Sequence, residues 1–275
     1  MESTIHLEGA EAIKEKKNIH KKPTQSADAL FNFMKEYEHL EDVLRRKMLS
    51  PRYCKEDVSY LRIEGVDEIA FPMRCFCDIN FHKLSEHIFW YGKYAIAFSK
   101  EYGINNGVQP ITYVNPDSEL ADDFRIAFGQ ALKNKNHTEE VTTYLKNYIV
   151  HQLMYMKPIQ GDTWNHLVEE YQPKCLMDES EWRFVPDVTM YNMKQAITDK
   201  SELDKSVLIF QSNALNGREE CSLRFSYDEV KYIIIAELAE IDRLEKLFDE
   251  LNLERSESNR LMSKVIVWDE WKGDF

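Results

Sequence analysis

The chain has 275 residues, 43% of them hydrophobic, enough for one large domain or two small ones with a true core. A formal net charge of −13 repels a nucleic-acid backbone unless basic residues gather locally, and no apolar run approaches the roughly 20 residues that a membrane-spanning helix needs. Five cysteines fit a reducing compartment better than a disulfide framework, and the charged N-terminus lacks a signal-peptide core, so a cytoplasmic protein is expected.

Residues 1–27, with "KEKKNIHKK", have too little apolar periodicity to bury themselves and read as a mobile charged arm or a marginal helix, leaving 28–275 as one domain. "ALFNF" (29–33) reads as a short buried strand. A helix follows, with Tyr37, Leu40, Leu44 and Met48 on one face, stopped by Pro51 in "SPRY". Arg45, Arg46, Lys47, Arg52 and Lys55 form the one candidate basic patch, or else the cationic end of that helix. From residue 69, "IAFPMRCFCDINF" predicts a strand broken at Pro72; "KYAIAFS" (93–99) and "PITYV" (110–114) are clearer strands, with "NNG" (105–107) as the turn between them.

Residues 118–156 change character. Val141, Tyr144, Leu145, Tyr148, Ile149 and Leu153 keep a helical spacing, and this apolar face, flanked by Tyr155, is expected to pack on the sheet rather than receive a partner. A further helix is expected near 163–171, so the helical insertion spans about 118–172. "EWRFV", "SVLIF" (206–210), "CSLRF" (221–225) and "VKYIIIA" (230–236) read as strands, with "NALNGREE" as a turn. Ile241, Leu244, Leu247, Phe248 and Leu251 mark an amphipathic helix, and "KVIVW" (264–268) a closing strand. The fold class is α+β.

Motif spacing offers little chemistry. Cys75 and Cys77 put two thiols on one strand face, but no second ligand pair accompanies them, so no metal site is expected. His82 and His87 read as helix decoration. No G-x-S-x-G elbow and no glycine-rich phosphate loop is present. In "DESEWRFVP" (178–186), Glu181 and Arg183 fall on one strand face and Trp182 and Phe184 on the other, so the charged face must meet water, a partner or a ligand. A plain ion pair between Glu181 and Arg183 is the alternative.

Three ordered blocks, "ALFNFMKEYEHLEDVLRRKMLSPRYCKEDVSYL", "PMRCFCDINFHKLSEHIFWYGKYAIAFSKEYGINNGVQPITYVN" and "DESEWRFVP", resemble the AbiGi family over roughly 29–115 and 175–268. That family is named for abortive-infection phage resistance and described as the antitoxin side of a two-gene system. The same blocks are similar, more distantly, to the ADP-ribosyltransferase-like fold, a mixed sheet domain. That resemblance implies NAD as substrate, with Glu181 as the catalytic carboxylate that steadies the oxocarbenium charge when the nicotinamide bond breaks. It further implies Asn32 on the ribose side, Arg52 at the pyrophosphate, and Tyr53 or Tyr94 against nicotinamide. The pattern carries His where this chain has Asn32, whose amide still bonds a hydroxyl.

Three readings follow from the resemblance. One is an NAD-dependent ADP-ribosyltransferase toxin modifying a protein or nucleic-acid acceptor, with the Arg45–Lys55 patch as docking edge for the latter. The second is a non-catalytic antitoxin that binds a partner toxin, its acidic surface masking a basic one. The third is an NAD sensor or hydrolase.

Overall fold

Apolar side chains on both sides of the first strand show that it runs inside the molecule. β1 (Ala29–Met34) buries Leu30 and Met34 on one face and Ala29 and Phe31 on the other. The computed structural model describes residues 21–133, 140–165 and 168–273, so positions 1–20 of the expected arm lie outside the described residues. Tyr37, Leu40, Val43 and Leu44 form the buried stripe of α1 (Tyr37–Arg46), which ends at Lys47 in the left-handed region. β2 (Met48–Leu49) and β3 (Arg52–Asp57) follow, then β4 (Glu68–Cys77), α2 (Leu84–Tyr91) and β5 (Tyr94–Ser99).

Pro72 does not break β4. Ala70 and Pro72 direct their main-chain groups away from β3, and Ala70 exchanges both hydrogen bonds with Ile197 on that side. At Pro72 that edge has no ladder partner, so its missing N–H costs nothing. The expected turn falls at Asn106 and Gly107, and before it the chain adds a short helix, α3 (Lys100–Asn105), capped by the Ser99 hydroxyl, which accepts from the Tyr102 N–H. β6 (Gln109–Pro110) and β7 (Thr112–Val114) come next.

The helical segment comprises α4 (Glu119–Lys133) and α5 (Glu140–Met154), ending earlier than the expected residue 172. After β8 (Met156–Pro158), β9 (Gln160–Asn165) pairs antiparallel with β10 (Glu170–Cys175) where a helix was expected. One face of β9 is turned to solvent at every second residue, the signature of a half-covered strand. β11 (Glu181–Phe184) holds the "EWRF" stretch. "SVLIF" is helical, in α6 (Lys205–Leu215): the Asp204 carboxylate caps its first turn through the Ser206 N–H at 2.8 Å, and Leu208, Ser212 and Leu215 are its buried stripe. β12 (Leu223–Arg224) is shorter than expected. β13 (Val230–Ile235), α7 (Glu240–Glu250), α8 (Arg255–Met262), β14 (Val265–Val267) and α9 (Trp268–Trp271) complete the chain.

Eight strands form one mixed sheet in the order β14-β13-β5-β1-β4-β11-β6, with β3 also on β4; β13 and β14 run parallel and the other pairs antiparallel. The hydrogen-bonding parity sets β1 and β3 on the same edge of β4, β1 at its Cys77 end and β3 along Glu68–Met73. The sheet therefore forks, and β1 and β3 diverge on either side of Cys75. One face packs on α1 and α7, and on α6 beneath β3; the other packs on α2 at one end and α4 and α5 at the other. No helix among the described residues is long and apolar enough to cross a membrane.

Candidate functional site

Glu181 opposes Cys77 and Arg183 opposes Cys75, so both carboxylate and guanidinium point to the α4–α5 face, where both are buried. Arg183 has 0% exposure. Its Nε donates to Glu181 Oε1 at 2.7 Å, its Nη2 to Glu56 Oε2 at 2.7 Å, and its Nη1 to the Met154 carbonyl at the end of α5 at 2.7 Å. The charged face of "EWRF" is thus buried among charges supplied by other strands, rather than turned to water.

Glu181 is shared. Its Oε2 accepts from Lys157 Nζ at 3.0 Å and Arg183 Nη2 at 3.2 Å, while its main-chain N–H donates to the Tyr113 hydroxyl at 2.9 Å. Lys157 also reaches Glu179 Oε2 at 2.7 Å, and Glu179 Oε1 accepts from Lys174 at 2.8 Å and from the Tyr91 hydroxyl. The outcome is a chain of alternating sign: Lys174, Glu179, Lys157, Glu181, Arg183, Glu56. Three cations balance three anions, which is how six charges tolerate burial. Burial alone would raise the Glu181 carboxyl, but Arg183 and then Lys157 outweigh it and hold it well below the usual carboxylate range. Glu179 is lowered in the same way, burial being overcome by Lys157 and Lys174. Lys157, despite burial, is raised by Glu181, Glu56 and Glu179.

A cavity of about 490 Å³ opens beside this chain, at the fork between β1 and β3. His87 on its wall lies 4.5 Å from the Tyr91 ring and 5.0 Å from Phe33; burial, then Lys174, lowers it to about 4. His87 is therefore a half-buried neutral imidazole and not surface decoration.

The five residues implied by the resemblance are dispersed. Asn32 lines the cavity from β1, one residue past Phe31, and so starts on the opposite face from Glu181. Its Nδ2 donates to the Cys75 carbonyl at 2.8 Å, closing the fork where β1 has left β4, and its buried Oδ1 has no partner. Arg52, exposed at the start of β3, lines the same cavity. Tyr53 turns the other way, under α6, with its hydroxyl donating to the Lys194 carbonyl at 2.5 Å. Tyr94 packs toward α7 and donates to Glu240 Oε1 at 2.7 Å. Glu181, Asn32 and Arg52 thus share one cavity wall, which Tyr53 and Tyr94 do not reach.

The basic run dissolves as a patch: Arg45 pairs with Glu41 and Glu250, Arg46 with Asp42, and Lys55 with Glu68, while Lys47 covers the Tyr227 ring at 4.3 Å. Cys75 and Cys77 do share a face, and burial raises both thiols. Lys157, Lys174, Glu179 and Tyr91 were not signalled by sequence, because their contacts join distant segments. Glu179 stands two residues before Glu181 but in a 3-10 turn, with Ser180 in the left-handed region between them, so strand alternation does not place it.

The apolar stripe of α5 splits. Ile149 and Leu153 are buried, while Tyr144, Leu145 and Tyr148 are 67%, 60% and 60% exposed. Val141 lies within α5, and Tyr155 is half-buried against the α4–α5 core.

No solved structure matches the chain. A family model described as "Putative abortive phage resistance protein AbiGi, antitoxin" matches residues 47–236, from β2 through β13. The "Abortive phage resistance protein AbiGi" of Lactococcus lactis subsp. cremoris is 29% identical over 251 residues, covering 82% of this chain and 98% of that protein. With well over half its length matched by the family model, the chain belongs to the AbiGi family.

Proposed function

We propose that this phage-defence protein is the restraining member of an abortive-infection pair, a non-catalytic antitoxin that acts by binding a partner toxin. One observation carries the reading: both oxygens of the Glu181 carboxylate are committed to buried cations, Arg183 and Lys157. A carboxylate neutralised on both sides offers little extra attraction to a developing oxocarbenium charge, which is what a transferase would need from it. The word "antitoxin" in the family description agrees with this reading. Tyr144, Leu145 and Tyr148 supply a docking surface for the toxin, since an exposed cluster with two aromatic rings on one helix face is an unusual load for a free surface.

The test is co-expression with the product of the neighbouring gene. Affinity purification of this chain is expected to bring the neighbour down, and Tyr144→Ser with Tyr148→Ser to weaken that recovery tenfold or more without lowering the melting temperature. Failure of the wild-type chain to bind its neighbour contradicts the reading.

A second reading, an ADP-ribosyltransferase-like domain that binds NAD and modifies a protein or nucleic-acid acceptor, is favoured by one observation. The Asn32 Oδ1 is buried without a partner on the wall of the fork cavity, a vacancy that a ribose hydroxyl would fill. In that reading Glu181 releases Lys157 to engage the ribose. Incubation with NAD labelled in the adenylate half separates the two: label on a macromolecule supports the transferase, free ADP-ribose a hydrolase, and intact NAD the antitoxin.

A further inference from the structure

A second cavity, of about 550 Å³, opens on the other side of the fork, bounded by the start of α1, the β2–β3 turn and the end of α6. Three cations stand on its wall: Lys35, Arg52 and Arg74. In a chain of net charge −13, cations are expected to find carboxylates, and most here do. These three do not: among the described residues none of them makes an ion pair, and the one carboxylate lining the wall, Asp42, is held by Arg46 at 2.6 Å. Arg74 is the most telling. It is half-buried, and among the described residues its one hydrogen bond runs from Nε to the Ser50 carbonyl at 2.6 Å, which leaves both terminal nitrogens of the guanidinium unused.

The cations also repel one another. Burial lowers Arg74 to about 10, with Arg52 the next cause, and burial, Lys205 and Arg52 lower Lys35. Of the three, half-buried Arg74 loses solvation without gaining a carboxylate, and an anion in the concavity would supply the missing partner. The rest of the wall suits the same guest, since the side-chain amides of Asn213 and Asn216 at the end of α6 offer neutral donors.

We infer that this cavity is a binding site for a compact oligophosphate group, free or carried by a nucleotide, held by Lys35, Arg52 and Arg74. The number of charges selects among anions. Three cations within one cavity match the several negative charges of a pyrophosphate better than the single charge of a carboxylate, and planar guanidinium groups bind phosphate oxygens in pairs. No residue of α5, the helix proposed to dock the toxin, lines this cavity. It shares Phe33, Arg52, Arg74 and Tyr91 with the first cavity, and the Tyr91 hydroxyl, which donates to Glu179, joins it to the buried charge chain.

The experiment is calorimetric titration of the purified full-length chain at low ionic strength with inorganic pyrophosphate, with a nucleoside diphosphate, and with sodium chloride matched for ionic strength. Saturable binding to one site is expected for pyrophosphate and absent for chloride. Arg52→Gln and Lys35→Gln, both of exposed residues and each checked by thermal melt, are expected to weaken it at least tenfold, whereas Lys200→Gln on a distant surface leaves it unchanged. Binding of the diphosphate with the same sensitivity to Arg52→Gln supports a nucleotide as the source, and binding of pyrophosphate alone supports the free anion. No saturable binding to wild type, or binding indifferent to both variants, overturns the inference.

Discussion

Arg183 carries a full positive charge with no exposed surface, and each of its three nitrogens donates to Glu181, Glu56 or the Met154 carbonyl. Removing it takes a buried cation from Glu181, which keeps only Lys157, and from the half-buried Glu56. Arg183→Met is therefore expected to cost about 3–5 kcal/mol in chemical denaturation. The double variant with Glu181→Gln is expected to cost less than the two singles together by at least about 1 kcal/mol, because each deletion relieves the partner the other left unpaired. Additive costs would mean that the two groups do not hold one another.

His87 gives the residue scale a pH signature. Its folded value of about 4 lies below the 6.5 of a free imidazole, so between those limits the unfolded chain takes up a proton that the folded chain refuses. Stability is then full above pH 6.5 and declines as pH falls toward 4, by about 2–3 kcal/mol at the lower end. Glu179 and Glu181 are shifted down from a carboxylate value near 4.5, so their contribution is present above that value and is lost only at more acidic pH. His87→Gln is expected to flatten the stability curve between pH 6.5 and 4 while leaving the acid limb below pH 4 in place. An unchanged slope in urea titrations at several pH values would count against a neutral buried imidazole.

At the scale of elements, Gly92 shows how the fork is closed from outside. Its φ is +112°, and a Cβ there would stand 2.3 Å from the Met34 carbonyl oxygen at the end of β1. Gly92→Ala is expected to destabilise by about 2–3 kcal/mol, since strain and clash coincide. Gly107→Ala, with φ +76° and nothing within 4 Å of its Cβ, is expected to cost about 1 kcal/mol from backbone strain alone. Equal melting temperatures for the two variants would contradict this account of the α2–β5 junction.

The same scale shows what the sequence disclosed. Strands β1, β5, β13 and β14 were legible as short continuous apolar runs, and helices α1 and α7 because each keeps one helical stripe over its buried face. "SVLIF" misled because its β-branched run hides a helix: Ile209 and Phe210 are exposed, and the decisive signals were the Asp204 cap and the spacing of Leu208, Ser212 and Leu215. The β9–β10 pair was missed because its alternation is carried by small and polar residues rather than apolar ones. For the site, Glu181 and Arg183 could be paired from the strand period alone. Lys157 and Tyr91 could not, since they stand 24 and 88 residues from their carboxylate partners.

On the scale of the whole molecule, charge is sorted rather than spread. The net −13 lies on a surface whose basic residues are mostly paired, one neutral chain of six charges is buried at the fork, and three unpaired cations line the cavity beside it. The apolar exposure falls elsewhere, on α5. This separation suits a protein whose folded interior is finished and whose work is done at its surface, as the antitoxin reading requires.

The most direct test of that claim is growth of cells expressing this chain alone from an inducible promoter, with protein level and folding verified. Normal growth on induction, together with rescue of cells that also express the partner, is the expected result. Growth arrest by the chain alone, lost in a folded Glu181→Gln variant, would contradict it and make the buried carboxylate a catalyst.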